Sequence, residues 1–380
     1  MARKILYVGG FKLPDKNAAA QRVINNAKAL RSLGHDVVLV GVTDERARDR
    51  FDSKGFECAE ISYPRNVKDW FKYITSISKL SAIIATEKPD VLILYNYPSA
   101  QIYRLVVKYA NRIKILADIT EWYEPNGFSP SAIIKRVDVW SRMNYLHFKL
   151  DGLIVISSFL EKFYSKSPKP VILIPPLIDP SETIWLDGAS EKNKERVEFV
   201  YSGSPGTGGK DKLDVIISAF NYGRDNSKEN CQLNIVGLTE EAFRNDFRVD
   251  HLDFTHVVFW GRVSHEKAIE IVKRSHFSVF FRDSTLVNNA GFPTKFVESI
   301  SVGTPVITNA TSDLPMYFNN YPEKLGYLVS DLDNMENVID CFGKAFDAIS
   351  NGSYYKMSTF CKESGLFYFN NYVEEFRSIL

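Results

Sequence analysis

Cysteine is scarce in this chain and never clustered. Cys58, Cys231, Cys341 and Cys361 stand far apart, with no C-x-x-C pair and no His at metal-ligand spacing. Neither a zinc site nor a disulfide framework is indicated, and a reducing cytoplasm is the expected setting. Long apolar runs are lacking too: Val37–Val42 and Val91–Tyr95 fall far short of the ~20 residues that cross a bilayer. At the start, MARK leads straight into ILYVGG, without the extended apolar core and small-residue cleavage site of a secretion signal. The expectation is a soluble protein, at most peripheral on a membrane.

An excess of charge of one sign is missing as well. The 47 Lys and Arg nearly balance the 46 Asp and Glu, for a net charge of +1, which excludes a broad basic surface gripping a nucleic-acid backbone. The sum conceals an asymmetry. Residues 1–190 hold 27 basic against 20 acidic side chains, whereas residues 191–380 hold 20 against 26. Either one half faces an anionic surface or substrate, or the surface charge is scattered by chance.

What is present in quantity is apolar sequence, 45% of 380 residues, enough for two domains with their own cores. Short β-rich runs alternate with longer helical patterns, the signature of parallel sheets covered on both faces. In the first half the strands are expected at Lys4–Val8, Asp36–Val42, Phe56–Ile61, Val91–Tyr95, Lys114–Asp118, Gly152–Ile156 and Val171–Ile174. These runs are continuously apolar, as strands buried on both faces must be. Between the first two, Val23, Ala27 and Leu30 share one helical face and Gly34 supplies the stop. A break with three prolines and then charged and small residues covers 175–197. Further strands follow at Glu198–Ser202, Gln232–Val236, Val257–Trp260, Phe277–Phe281, Pro305–Thr308 and Gly326–Val329. The expected organisation is an α/β chain with a doubly wound, Rossmann-like domain over 1–180, a linker at 181–197, a second such domain over 198–360, and a tail helix within 361–380 that could pack on either domain. Two such domains facing each other leave a central cleft between their strand ends, the default ligand site.

Two segments could carry chemistry. GSPGTGGKD, from Gly203 to Asp211, lies between a strand and a helix, where glycines admit a phosphate close to the backbone and Lys210 adds a point charge. It departs from the P-loop at Ser204 and Asp211. The bland alternative is a flexible turn with a solvated lysine. The second segment, AGFPTKFVES, places Gly291, Phe292, Pro293 and Thr294 in a loop and helix start, with Lys295 and Glu298 sharing a helix face. Amides and a lysine there suit a diphosphate and a carboxylate suits ribose hydroxyls; an ordinary surface ion pair is the alternative. Asp331-Leu-Asp333 is better read as charge at a helix start than as a metal motif, and the six histidines form no constellation.

In order along the chain, the GGF loop, GHDVVLVG, LDGLIVISS, ILIPPLID, YSGSPG followed by KD, LNIVG, VVFWGRVS and GFPTKFVES followed by GTPVITN resemble the GT-B glycosyltransferases of the family-4 type, over roughly residues 4–310. The resemblance implies transfer of a sugar with retention, without a metal or other cofactor, from a nucleotide-sugar donor bound by the second domain. The acceptor, a saccharide, a glycolipid or a lipid-linked sugar, would be held by the first. It further implies that Ser204 and Lys210 face the diphosphate, with Gly203 in the same donor-binding loop and Lys295 adding charge, and that Gly237 and the Arg262-Val263 backbone wall the base. Gly10 resembles the loop glycine that closes over phosphates and sugar, and Glu298 the second Glu of the E-x7-E motif. Two residues depart from the family: Ala290 replaces the first Glu of that motif, with Asn288 or Asn289 as substitutes, and Thr120 replaces the His of a D-x-H-E stretch. Glu121, with Asp118 beside it, is left as the acid/base or acceptor-orienting carboxylate. A role in cell-surface polysaccharide or glycoconjugate synthesis is expected, alongside two alternatives: a noncatalytic nucleotide-sugar-binding subunit, or a nucleotide-sugar epimerase. Basic residues interleaved with aromatics, Arg104 to Lys114 and Lys135 to Lys149, either dock an anionic membrane face or are the solvated faces of two helices.

Overall fold

The computed structural model describes residues 2–14, 17–125, 127–186, 192, 195–203, 211–226, 230–247 and 252–380. By packing, the chain divides into two units. One comprises residues 1–178 with Ala290–Phe292 and Tyr368–Leu380; the other comprises Asp179–Asn289 and Pro293–Phe367.

The first unit is built on β1 (Lys4–Gly9), β2 (Asp36–Thr43), β3 (Phe51–Ser53), β4 (Phe56–Ser62), β5 (Val91–Tyr95), β6 (Lys114–Ile119), β7 (Gly152–Val155) and β8 (Val171–Leu173). Their order across the sheet is β3-β4-β2-β1-β5-β6-β7-β8. All pairs are parallel except β3 with β4. Central strands such as β5 are buried at every position, which is why their sequences are continuously apolar rather than alternating. Strand β3, only three residues long with no apolar run, escapes a reading based on hydrophobicity. The helix Ala18–Ser32 begins at Asn17, whose side chain accepts from Ala20 N–H at 2.9 Å, and closes as Gly34, at φ +84°, donates to the Arg31 carbonyl at 2.8 Å. Val23, Ala27 and Leu30 lie in the core as their spacing predicts.

The tail divides. The helix Ser353–Glu363 belongs to the second unit. The last helix, Val373–Ile379, instead drives Phe376 and Ile379 into the first unit's core. Gly152 is required beneath it, since a Cβ there would lie 2.8 Å from the Ile379 side chain.

In the second unit β9 (Val197–Ser202), β10 (Cys231–Val236), β11 (Val257–Gly261), β12 (Phe277–Val279), β13 (Val306–Asn309) and β14 (Gly326–Val329) form a fully parallel sheet in the order β11-β10-β9-β12-β13-β14. Phe199 sits in its core among the rings of Phe220, Phe277, Phe342 and Phe346, with centroids 5.2–6.0 Å away. Both units are thus doubly wound α/β sheets with order reversals at β1 and β9, where the carboxyl ends of strands create ligand sites.

Candidate functional site

In the first unit, the end of β6 gathers a buried polar cluster. Asp118 is fully buried and receives both Arg22 Nε, at 3.0–3.1 Å, and Arg22 Nη2, at 2.8 Å. Tyr7 Oη donates to its other side at 2.5 Å, with Asn26 Nδ2 3.1 Å from that hydroxyl. Burial alone would disfavour the Arg22 charge, but Asp118 outweighs it and the guanidinium is held above its ordinary pKa. Burial and then the Asp118 charge push the Tyr7 phenol up. Arg22 Nη1 spans onward to the carbonyls of Ile174, at 2.8 Å, and Pro175, at 3.2 Å. The placement of Asp118 corrects the expectation that it contacts substrate: its carboxylate ties β6 to the first helix and to the segment after β8. Arg22 and Asn26 were missed, although their i,i+4 spacing puts a polar stripe beside the apolar face of Val23 and Ala27.

Just beyond, Thr120 is also buried and locked. Its hydroxyl donates to Tyr95 Oη at 3.1 Å and accepts from Asn96 Nδ2 at 2.7 Å, while its N–H donates to Asn96 Oδ1 at 3.2 Å. Asn96 takes the left-handed conformation, φ +44°, at the end of β5. Glu121 is exposed, and its carboxylate bonds the Tyr123 phenol, whose pKa is raised by burial first and by Glu121 second. Arg142, buried at the start of a π-helical turn, lies 5.4 Å from the Tyr123 ring and donates weakly to the Asn96 and Tyr97 carbonyls. Of Asp118 and Glu121, only Glu121 therefore presents an exposed carboxylate. Gly10, after β1, is exposed with open space where a Cβ would stand.

In the second unit, glycines bring the strand ends together. Gly203 (φ +137°) donates to the Val236 carbonyl at 3.0 Å, and Gly237 (φ +107°) to that of Gly261 at 2.8 Å. A Cβ on Gly237 would lie 2.3 Å from the Gly203 carbonyl oxygen, and one on Gly203 2.7 Å from Lys295 Cε. Ser204 and Lys210 lie outside the described residues.

Lys295 departs from expectation. It is buried in the first turn of the helix Thr294–Ser301, where its Nζ donates to Tyr201 Oη at 2.9 Å and pairs with Asp211. Asp211 also receives Arg282 Nε and the Tyr201 hydroxyl, at 2.8 and 2.6 Å. Burial by itself would raise the Asp211 pKa; Lys295 and Arg282 overcome it and hold the carboxyl below its usual range. The lysine expected as an outward-facing cation is thus a brace between helix and sheet. Sequence reading missed Asp211 because it read that residue only as a departure from a phosphate-loop pattern.

Glu298, one turn further on, is partly exposed and accepts from His265 Nε2 at 3.1 Å. The sequence does not single out His265 as the partner of Glu298. The imidazole stands at the head of its own helix, after the cap Ser264, with the Trp185 ring edge-on to it at 6.3 Å. Arg262 is exposed and Val263 packs on a small cluster with Val236 and Ile269. Pro293 caps the helix of Lys295 and Glu298, and Thr294 is half-buried. Gly291 and the buried Phe292 pack with the first unit. Ala290 is buried there too, its carbonyl accepting from Ser157 Oγ at 2.7 Å. Asn288 and Asn289, the substitutes for the missing Glu, are engaged within the second unit: Asn288 Nδ2 donates to the Asp283 carbonyl, and Asn289 donates to Ser284 Oγ and accepts at Oδ1 from the Ser312 N–H beyond β13. Among the described residues no three His, Cys, Asp or Glu side chains gather as a metal site, and no helix is long and apolar enough to cross a membrane.

The sequence model of the family described as Glycosyltransferase Family 4 matches residues 19–182, and that of Glycosyl transferases group 1 matches residues 188–340. The chain belongs to the GT-B glycosyltransferases of the family-4 type. No curated protein sequence matches it significantly. Its fold is that of solved glycosyltransferases. A sucrose-phosphate synthase from Thermosynechococcus elongatus aligns over 99% of this chain and 98% of its own, at 16% identity and a TM-score of 0.69. The catalytic domain of starch synthase IV from Arabidopsis thaliana, bound to ADP and acarbose, aligns over 100% and 99%, at 11% and 0.69. WaaG, a glycosyltransferase involved in lipopolysaccharide biosynthesis, aligns over 98% of both chains at 12% and 0.64. The clusters described above fall one in each family match: Asp118, Thr120 and Glu121 in the first, Gly203, Gly237, Lys295 and Glu298 in the second. This glycosyltransferase therefore carries its two departures, Thr120 and Ala290, at buried positions, each hydrogen-bonded within the first unit.

Proposed function

We propose that this glycosyltransferase moves a sugar from a nucleotide-sugar donor, held by the second unit, to a saccharide, glycolipid or lipid-linked acceptor held by the first, with retention and without a metal. The reading places it on the cytoplasmic side, in peripheral contact with the membrane, in the synthesis of cell-surface polysaccharide or glycoconjugate. The observation that carries it is the Glu298–His265 pair. Its carboxylate is partly exposed, has one oxygen committed to an imidazole, and so has the other available to hydroxyls such as those of a ribose. Breaking the donor builds negative charge on the diphosphate. Lys210, the amides at the helix Thr294–Ser301 and the exposed Arg262 are the groups we assign to that charge. Lys295 acts through Asp211 as a positioning residue. In the first unit Glu121 is the carboxylate we assign to the acceptor hydroxyl or its orientation, with Asp118 and Arg22 fixing the strand end beneath it.

A panel of nucleotide sugars, with and without saccharide acceptors, tests this by nucleotide release. Release that needs acceptor, survives EDTA and falls at least tenfold in Glu298→Ala is expected. Chelator-abolished activity restored by Mg²⁺ removes the metal-free scheme. Binding of a nucleotide sugar with no turnover of any donor favours the second reading, a noncatalytic binding subunit, for which the locked Thr120 and Ala290 are the motive; donor isomerisation without acceptor favours an epimerase.

A further inference from the structure

We infer that the outward side of the helix Pro130–Ser141, continued by the helix Ser99–Tyr109, is an interfacial docking surface for an anionic lipid bilayer. The helix Pro130–Ser141 has its polarity inverted. It meets its own unit through Ala132 and Val139, and on the opposite side Ile133, Ile134, Val137 and Trp140 stand 49%, 62%, 61% and 66% exposed. Those four positions recur at i, i+1, i+4 and i+7, one continuous stripe; a helix that only covers a core shows polar side chains there. Phe128, before the cap residue Ser129, is 86% exposed with the Arg136 guanidinium 5.3 Å from its ring. Asp138 of this helix accepts from the Ser99 N–H at 2.7 Å, which ties the second helix alongside. On it Tyr103 and Val107, one turn apart, are exposed in the same manner. An exposed apolar patch of this extent marks a contact surface.

Charge identifies the occupant. Residues 99–117 contain no acid and residues 127–149 only Asp138, whose carboxylate is committed to Ser99. The cations Arg104 and Lys108 on one helix and Arg136 on the other flank the apolar residues, so their stems can lie along an acyl layer while their heads reach phosphates. Protein interfaces deplete Lys at their apolar centre, and a second copy of this face would oppose cation to cation. An anionic membrane satisfies both the stripe and its charges. The proposal gives the lipid-linked branch of the proposed function its surface and rests on that reading for its purpose only.

Full-length protein is sedimented with vesicles of phosphatidylcholine alone or with about a third phosphatidylglycerol. Binding to the anionic vesicles at least tenfold tighter than to neutral ones, weakened by salt, is expected. Trp140→Ser with Val137→Ser should weaken it tenfold or more, and Arg104→Glu with Arg136→Glu should erase the preference for anionic lipid. Both variants should keep the parent's thermal midpoint, which separates lost docking from lost folding. No binding at low salt, equal binding by parent and variants, or a solution dimer that the same substitutions dissociate each overturns the proposal. Nucleotide release assayed without lipid reads the glycosyl-transfer proposal separately: vesicle binding without turnover leaves the docking surface standing, and turnover without vesicle binding overturns docking alone.

Discussion

Asp118 separates a structural carboxylate from a catalytic one by a measurement with two readouts. Its side chain is 0% exposed and that of Arg22 3%, so the pair is desolvated on both sides. Asp118→Asn leaves the guanidinium buried without a counter-charge, and Arg22→Met leaves the carboxylate so. Breaking a buried pair from one side costs about 3–5 kcal/mol. Arg22→Met is expected at the upper end, because it also strands the Ile174 and Pro175 carbonyls, whereas Tyr7 and Asn26 still supply donors near the carboxylate. In a unit of this size about 2–4 °C accompanies each kcal/mol, so thermal midpoints should fall by roughly 6–20 °C. Arg22→Met with Asp118→Leu should recover more than half of that loss, since no charge is left in the core. Turnover per folded molecule, measured well below the new midpoint, should fall by less than about tenfold, the mark of a slightly misplaced strand end. The opposite pattern, an Asp118→Asn protein as stable as the parent whose turnover falls by about 10²–10⁴, is that of a lost general acid or base and would refute the positioning role.

Lys295→Met is expected to destabilise the second unit by about 2–4 kcal/mol, below the full cost of an unpaired buried charge because Arg282 remains on Asp211; unchanged unfolding together with a tenfold loss of nucleotide affinity would restore Lys295 as a diphosphate ligand. His276 supplies a pH dependence. Its Nδ1 accepts from the Glu198 N–H at 3.1 Å, so only the neutral ring fits, and burial, aided by Lys192, lowers its pKa to about 4. The unfolded chain thus binds a proton that the folded chain refuses between about pH 6.5 and 4, and stability falls as pH drops through that window, by up to about 3 kcal/mol. Unfolding compared between the parent and His276→Asn should show a shallower acid limb in the variant, and superimposable profiles would count against the assignment.

How far the sequence discloses such details depends on whether a signal is local. Strands announce themselves because burial on both faces forces continuous apolar runs, as in VLILY at β5; β3, which pairs only at an edge, carries no such demand. Glu298 is legible because its neighbours Gly291 to Lys295 form a contiguous motif. Its partner is not: His265 lies 33 positions away, and a lone His after a strand has many ordinary explanations. Lys295 shows the same limit more sharply. From its own segment it reads as a cation at a helix start, suited to an anion. Asp211 and Arg282, 84 and 13 positions earlier, decide otherwise, because a buried carboxylate must find a cation before any ligand arrives. Their geometry is also economical for the chain: with Gly203 lacking a side chain directly above Lys295, one lysine stem fills the space that permits the glycine turn and one ammonium ties the helix to Tyr201 of β9 and to Asp211. The charge at this strand end is therefore spent on bracing helix against sheet, and under the proposed reading contact with the donor is left to groups that reach solvent, Arg262 and Glu298 among them.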